Sequence, residues 1–158
     1  MTCMQNPSIV IQVRPATLDD VPQLCGLLGF LFGQEADFTP DPVRQAQGLR
    51  LILEQPDYGR VFCAADGESI LGMVAILFIV NATGGGLAGV LEDMIVHPDR
   101  RHQGIGERLL NEAIAHARGA GCGRITLLTD ATNESAMRFY GRSGFVRMQM
   151  KPMRLGVS

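Results

Sequence analysis

Residues Val90 to Leu110 read VLEDMIVHPDRRHQGIGERLL, and this stretch decides the fold. Its apolar first part is typical of a strand, a charged turn follows Pro98, and the glycines Gly104 and Gly106 stand where a helix begins. Glycine lets the backbone approach a ligand closely, and the first turn of a helix leaves unpaired N–H groups that attract anions. The stretch therefore predicts a strand–loop–helix unit that can bind a phosphorylated ligand.

The composition is that of a globular chain. Of the 158 residues, 46% are hydrophobic and 19% are charged, which predicts a single domain over residues 1–158. The apolar run over residues 70–80 is too short to cross a bilayer, and the N-terminal residues lack the basic and apolar regions of a secretion signal. We therefore expect a cytoplasmic protein with no membrane partner.

The charge is uneven along the chain. Residues 1–80 carry a formal charge of −5, and residues 81–158 carry +3. An acidic first half suits a cationic substrate and a basic second half suits a polyanionic ligand, although an ordinary solvated surface explains the same charges equally well. Neither half has the basic, aromatic-interleaved pattern of a nucleic-acid-binding protein, so we expect no nucleic-acid partner. The four cysteines are scattered, and no histidine completes a metal-binding pattern, so we expect reduced thiols and no metal.

Hydrophobic periodicity predicts six strands and four helices. The strands are expected over residues 9–14, 60–65, 70–81, 87–97, 124–129 and 145–155. One helix is expected to be capped by Thr17 or Asp19 and to run through Leu31, and the others to cover residues 43–54, 104–118 and 133–142. This order predicts an α+β (mixed α/β) fold with helices on the faces of a mixed sheet.

Two common nucleotide-binding loops do not fit the glycine pattern. A dinucleotide-binding fingerprint needs a third glycine where this chain has Leu109, and a Walker A loop needs a lysine, whereas the one lysine here is Lys151. A glycine pair at a helix start can also serve packing alone. What remains is the pattern [Arg/Gln]-x-x-Gly-x-[Gly/Ala], which Arg101, Gly104 and Gly106 match.

This pattern resembles the coenzyme A pyrophosphate loop of the GNAT (GCN5-related) N-acetyltransferase superfamily. Three other segments resemble the family's first strand, central strand and following helix: VRPAT at 13–17, LEDMIVHP at 91–98, and N-x-x-A-x-x-F-Y-x-x-x-G-F at 133–145. The resemblance covers nearly the whole chain. The departure is His102-Gln103, where many members have a glycine directly after the arginine.

The resemblance implies a mixed, mostly antiparallel sheet that is splayed at its central strand and flanked by about four helices. It implies acetyl-CoA as acyl donor, aligned by the backbone of the central strand and held at its pyrophosphate by the loop. The cofactor-binding residues implied are Met94, Ile95, Val96, Arg101, His102, Gln103, Gly104, Ile105, Gly106, Asn133 and Ala136. A homodimer with contacts through the last strands is a further family expectation.

Acetyl transfer to an amine needs a base, because an alkylammonium with a pKa of about 10 is unreactive until it loses a proton. It also needs a hydrogen-bond donor for the developing oxyanion and an acid that protonates the leaving thiolate. The resemblance makes Tyr140 the general acid. Glu92 is the expected base or substrate anchor, directly or through water, and a structural carboxylate is the alternative. Adjacent strand residues face opposite sides, so Asp93 is expected to be structural. His97 and His102 flank the loop as surface residues, and His102 can contact phosphate.

The acceptor is the least constrained part of the prediction. By resemblance the first two helices and their connection shape its pocket, so Phe32, Glu35 and Glu92 are expected to contact it, although a loop packed by its own phenylalanines is as good an interpretation. The leading hypothesis is an N-acetyltransferase acting on a small-molecule primary amine. The alternatives are a non-catalytic acyl-CoA-binding sensor and a peptide or protein N-acetyltransferase, with a longer acyl-CoA also open.

Overall fold

A computed structural model describes residues 10–33 and 39–157. Within them the chain forms five strands and four α-helices. In chain order these are β1 (Gln12–Pro15), α1 (Val21–Phe32), α2 (Pro42–Glu54), β2 (Gly59–Asp66), β3 (Ser69–Asn81), β4 (Gly86–Val96), α3 (Ile105–Gly119), β5 (Cys122–Leu127) and α4 (Glu134–Arg142). No helix in this part of the chain is long and apolar enough to span a membrane.

The five strands form one sheet in sequence order, from β1 to β5. Strands β1 to β4 pair antiparallel, whereas β5 pairs parallel with β4. A parallel pair needs a crossover connection, and α3 supplies it. The predicted α+β class with a mixed, mostly antiparallel sheet and about four helices is confirmed.

The sheet opens along the β4–β5 pair. Pairing runs from Leu87 opposite Cys122 to Leu91 opposite Leu127, and residues 92–96 of β4 lie beyond the last pair. The predicted splay of the central strand is therefore present, and it begins after Leu91.

A bulge interrupts β4 just where the strands separate. On the β3 side, Ala75 pairs with Glu92 and Met73 pairs with Ile95, so two residues of β4 stand opposite one of β3. The first of them, Asp93, has a φ of 53°, which a non-glycine residue adopts rarely. Such a bulge bends a strand and interrupts the alternation of its side chains, here at residues 93 and 94.

The start of α1 depends on an ion pair. Thr17 begins a short 3₁₀ turn over Leu18–Asp20, and α1 follows directly. The buried carboxylate of Asp20 accepts hydrogen bonds from the Thr17 backbone N–H at 2.8 Å and from two guanidinium nitrogens of Arg14 at 2.7 and 2.9 Å. Helices α1 and α2 pack on the sheet over a core that includes Leu24, Leu28, Leu49, Val61, Met73 and Ile95.

One predicted strand is absent from the described residues. The chain divides into two compact units, one ending at Leu127 and the other beginning at Leu128. Within the second unit, residues 145–155 form no strand. Their alternating apolar pattern suggested one, but a strand needs a paired backbone, and the side chains of Val146, Met148 and Met150 are instead 84%, 62% and 79% exposed.

Candidate active site

The opened edge of β4 forms the first part of the site. Ile95 keeps its pairing to Met73 on β3 and its side chain is buried, while Met94 and Val96 are partly buried. On the other side of this segment the described residues show no pairing with β5. A strand edge of this kind can accept an extended ligand as an additional strand through backbone hydrogen bonds.

The loop after β4 is held by its own arginine side chains. Arg100 donates from Nε to the Gln103 Oε1 atom at 3.3 Å, and its guanidinium lies 3.9 Å from a carboxylate oxygen of Asp66, the last residue of β2. Arg101 donates from Nε to the carbonyl oxygen of Val96 at 3.4 Å. Two predicted cofactor-binding side chains, those of Arg101 and Gln103, therefore also shape the loop.

Two left-handed residues curve the loop backbone into the start of α3. His102 has a φ of 61° and Gly104 a φ of 76°, and both are exposed. Gly104, the N-cap of α3, has no side chain to accept a hydrogen bond from the first turn, and Ile105, the first residue of the helix, is buried. Uncapped N–H groups at a helix N-terminus, together with the helix dipole, favour a phosphate group.

The strand edge and the loop fit the ligand that the sequence resemblance implies. Both belong to one continuous segment, from Met94 to Gly106, in the first compact unit. An extended amide-containing arm needs unpaired strand backbone, and a pyrophosphate needs clustered N–H donors. The segment provides these two features in that order.

The residues predicted to meet the acceptor are differently placed. Glu92 is an exposed residue on β4, immediately before the bulge at Asp93. Phe32 lies in the last turn of α1 rather than in a loop, and it packs, partly buried, against the hydrophobic core. Glu35 lies outside the described residues.

In the second compact unit, Asn133 is the N-cap of α4. Its side-chain oxygen accepts a hydrogen bond from the Ala136 backbone N–H at 3.0 Å, so these two residues make a capping interaction within the helix. Tyr140 lies one turn further on, with ring centroids 5.1 Å from Phe139 and 5.7 Å from Phe145. Burial raises the pKa of the Tyr140 phenol to about 12, so the phenol carries its proton at neutral pH.

Other reactive side chains of the described residues are protected rather than activated. Burial raises the pKa of the Cys63 thiol to about 11 and also raises the pKa of the Cys25 thiol. His116 lies between the rings of Phe62 and Phe78, and burial lowers its pKa. No group of three metal-ligating side chains occurs in the described part of the chain. The raised pKa values keep the Cys63 and Cys25 thiols protonated at neutral pH.

The chain combines a splayed, mostly antiparallel sheet with a loop that leads from the central strand into a helix N-terminus. Residues 28–145 match the family model described as acetyltransferase (GNAT) family, and the chain belongs to that family. GNAT proteins use acetyl-CoA as the acyl donor.

Three relatives illustrate the range of the similarity. Aminoalkylphosphonate N-acetyltransferase of Salmonella typhimurium is 29% identical over 136 residues, which cover 86% of this chain and 85% of that protein. Glucosamine 6-phosphate N-acetyltransferase 1 of Oryza sativa subsp. japonica is 35% identical over 151 residues, which cover 89% of this chain and 84% of that protein. A solved structure described as a transcriptional regulator from Bacillus halodurans C-125 superposes with a TM-score of 0.79 at 28% identity. The superposition covers 94% of this chain and 100% of that one.

Proposed function

We propose that this protein transfers an acetyl group from acetyl-CoA to the primary amine of a small molecule. The observation that carries the proposal is the β4 edge, opened after Leu91, which leads directly into the left-handed turn at His102 and Gly104. Backbone of Met94, Ile95 and Val96 would align the donor, and the loop from Arg101 to Gly106 would hold its pyrophosphate. Acetyl-CoA, when bound, supplies a thioester whose acetyl carbon accepts the amine.

The chain provides groups for the proton transfers. The amine must lose a proton before it attacks, and the exposed carboxylate of Glu92, directly or through water, would take it. A backbone N–H of residues 94–96 would donate to the oxygen on which negative charge develops. As the amine nitrogen bonds to carbon and the carbon–sulfur bond breaks, Tyr140 would give its proton to the leaving thiolate. The nitrogen would lose its second proton as the amide forms, and this proton would pass through water to restore the Tyr140 phenol.

The names of two relatives supply an order in which to test acceptors. Two N-acetyltransferases among the relatives are named after amines that bear a phosphonate or phosphate group, aminoalkylphosphonate and glucosamine 6-phosphate. We therefore place small amines that bear a phosphoryl group first. Polyamines, amino acids and aminoglycosides follow, because the acidic first half of the sequence suits cationic acceptors.

The test is release of free thiol from acetyl-CoA across this amine panel, with N-terminal peptides included. The expected result is turnover with at least one small amine, and faster turnover with a phosphorylated amine than with its dephosphorylated counterpart. Turnover with peptides alone would replace the small-molecule proposal by a peptide or protein N-acetyltransferase.

A non-catalytic acyl-CoA sensor is the second candidate, because a structural relative at 28% identity is described as a transcriptional regulator. The two candidates differ in one measurement. Calorimetric binding of acetyl-CoA without thiol release on any amine would favour the sensor, whereas binding together with turnover favours the enzyme.

We further propose a cytoplasmic homodimer. Its support is a segment of the second unit in which several exposed apolar side chains follow closely in sequence, namely Val146, Met148, Met150 and Met153. Grouped exposed apolar side chains, unlike single ones, mark interaction surfaces. Light scattering during size-exclusion chromatography tests the dimer. The expected mass is twice that of the chain, and Met150→Glu should shift the protein towards monomer, whereas a monomeric wild type contradicts the proposal.

A further inference from the structure

His97, the residue after β4, has side-chain contacts with Asp99 and with Phe30, and its Nδ1 atom lies 4.0 Å from the Asp99 Oδ2 atom. Its Nδ1 atom accepts a hydrogen bond from the Asp99 backbone N–H at 3.2 Å. Its ring lies edge-on against Phe30 of α1, with centroids 5.0 Å apart and an interplanar angle of 71°. All these residues belong to the first compact unit. Because Nδ1 accepts, the neutral ring carries its proton on Nε2.

The backbone of His97 is fixed as well. Its N–H donates to the Leu71 carbonyl oxygen at 2.7 Å, and its own carbonyl oxygen accepts from the Arg100 N–H at 2.9 Å. His97 is thus the N-cap of the 3₁₀ turn Pro98–Arg100, which leads directly into Arg101 and the anion-binding loop. A cap acceptor satisfies an otherwise unpaired N–H at the start of a turn and so holds the first residues of that turn in place.

Phe30 supports the imidazole from the neighbouring helix. It lies in the last turn of α1 and is 42% exposed, unlike Phe32, which packs against the core. An edge-on aromatic contact restricts ring orientation beyond what area burial alone does. Phe30 therefore holds the His97 ring in the orientation that presents Nδ1 to the Asp99 N–H.

We infer that His97 is a positioning residue for the coenzyme: it fixes the turn that aims the loop from Arg101 to Gly106, and Phe30 holds it in place. The inference rests on the proposed function, since that loop is the site proposed for the pyrophosphate. His97 acts through backbone geometry, so an isosteric acceptor in its place should preserve binding and an isosteric apolar side chain should not.

Isothermal calorimetry with acetyl-CoA tests this through a matched pair. In His97→Asn the amide oxygen can accept the Asp99 N–H, whereas His97→Leu has a similar shape and no acceptor. We expect His97→Leu to weaken acetyl-CoA binding by about five- to tenfold, and His97→Asn to stay within about threefold of wild type. Phe30→Ala should weaken binding by about threefold in the wild-type background and by less in His97→Leu, because its effect passes through the ring.

Thermal unfolding of each variant separates loop geometry from global stability. Should His97→Leu fail to fold, Phe30→Ala decides the question, and unchanged affinity in that variant overturns the inference. Equal affinity for wild type, His97→Asn and His97→Leu, all folded, overturns the inference and leaves the proposed function intact. Failure of the wild type to bind acetyl-CoA overturns the proposed function itself, and the inference falls with it.

Discussion

The backbone N–H of Phe145 donates a hydrogen bond to the carbonyl oxygen of Tyr140 at 3.2 Å, and the rings of these two residues lie 5.7 Å apart. The chain thus folds back over the end of α4 and places the Phe145 ring edge-on to Tyr140. Burial of the phenol disfavours the phenolate, which is why the pKa of Tyr140 rises to about 12. The residue proposed as general acid is therefore kept in its acidic form.

Tyr140→Phe should lower kcat by about 10²- to 10³-fold, because only the proton donor is removed. The acetyl-CoA dissociation constant should stay within about twofold of wild type. With a pKa of about 12, the wild-type phenol should cause no loss of kcat between neutral pH and pH 10. The chain has two tyrosines, and Tyr58→Phe, an exposed position, is the matched control with unchanged kcat. Equal kcat in wild type and Tyr140→Phe would remove Tyr140 from the chemistry.

Glu92→Gln should lower kcat/KM by about 10- to 100-fold at pH 7 and by clearly less at pH 10. The reason is that an alkylamine with a pKa of about 10 is mostly protonated at pH 7 and needs a base, whereas half of it is already neutral at pH 10. Initial rates over this pH range with the best amine measure the effect. Glu68→Gln, in the exposed β2–β3 turn, serves as the control. A loss of the same size at both pH values would indicate that Glu92 binds substrate and takes no proton.

Asp20→Asn should lower the free energy of unfolding at pH 7 by about 2 kcal/mol. The hydrogen bonds from Arg14 lower the pKa of Asp20 from 3.8 to about 2. A carboxylate with a depressed folded-state pKa stabilises the fold above its unfolded pKa, and this stabilisation is lost as pH falls from about 4 towards 2. Urea unfolding at pH 7, 4 and 2.5 should therefore give a smaller pH dependence in the variant. Asp19→Asn, at an exposed neighbouring position, should change neither the free energy of unfolding nor its pH dependence. Parallel curves of unfolding free energy against pH for Asp20→Asn and wild type would refute the stabilising role of the Asp20 carboxylate.

Gly72→Ala should lower the free energy of unfolding by about 1–3 kcal/mol. A Cβ at Gly72 would stand 3.0 Å from the Ile95 carbonyl oxygen and 3.0 Å from the Leu109 Cδ1 atom, between β4 and α3. Gly26→Ala is the opposite control. A Cβ there meets nothing within 4 Å on a helix, so it should stabilise by about 0.5–1 kcal/mol. Chemical denaturation measures both, and a neutral Gly72→Ala would mean that α3 can move away from the strand.

The central part of the fold could be predicted from the sequence because its signals are local. The apolar pattern of β4 and the glycines Gly104 and Gly106 define strand, loop and helix within the stretch 90–110, and the structure places Gly104 in the left-handed region just before the helix. The bulge at Asp93 could not be predicted, since a positive φ at an aspartate is imposed by pairing with β3 and leaves no mark in the local pattern.

Other features depend on contacts that alternation cannot reveal. Residues 145–155 have a strand's apolar alternation, but a strand also needs a partner, and the described residues pair none with them. The contact between Phe30 and His97 joins residues far apart in sequence, so nothing in the local pattern distinguishes Phe30 from Phe32. The high pKa of Tyr140 likewise follows from burial, which only the fold creates.

The most direct test of the central claim is the stoichiometry of acetyl transfer. Purified protein is incubated with acetyl-CoA and an aminoalkylphosphonate or glucosamine 6-phosphate, and free coenzyme A and N-acetylated amine are quantified together by mass spectrometry. An N-acetyltransferase should form equal amounts of the two products with wild type and far less of both with Tyr140→Phe. Binding of acetyl-CoA with no acetylated product from these amines or from any other member of the panel would contradict the proposed function.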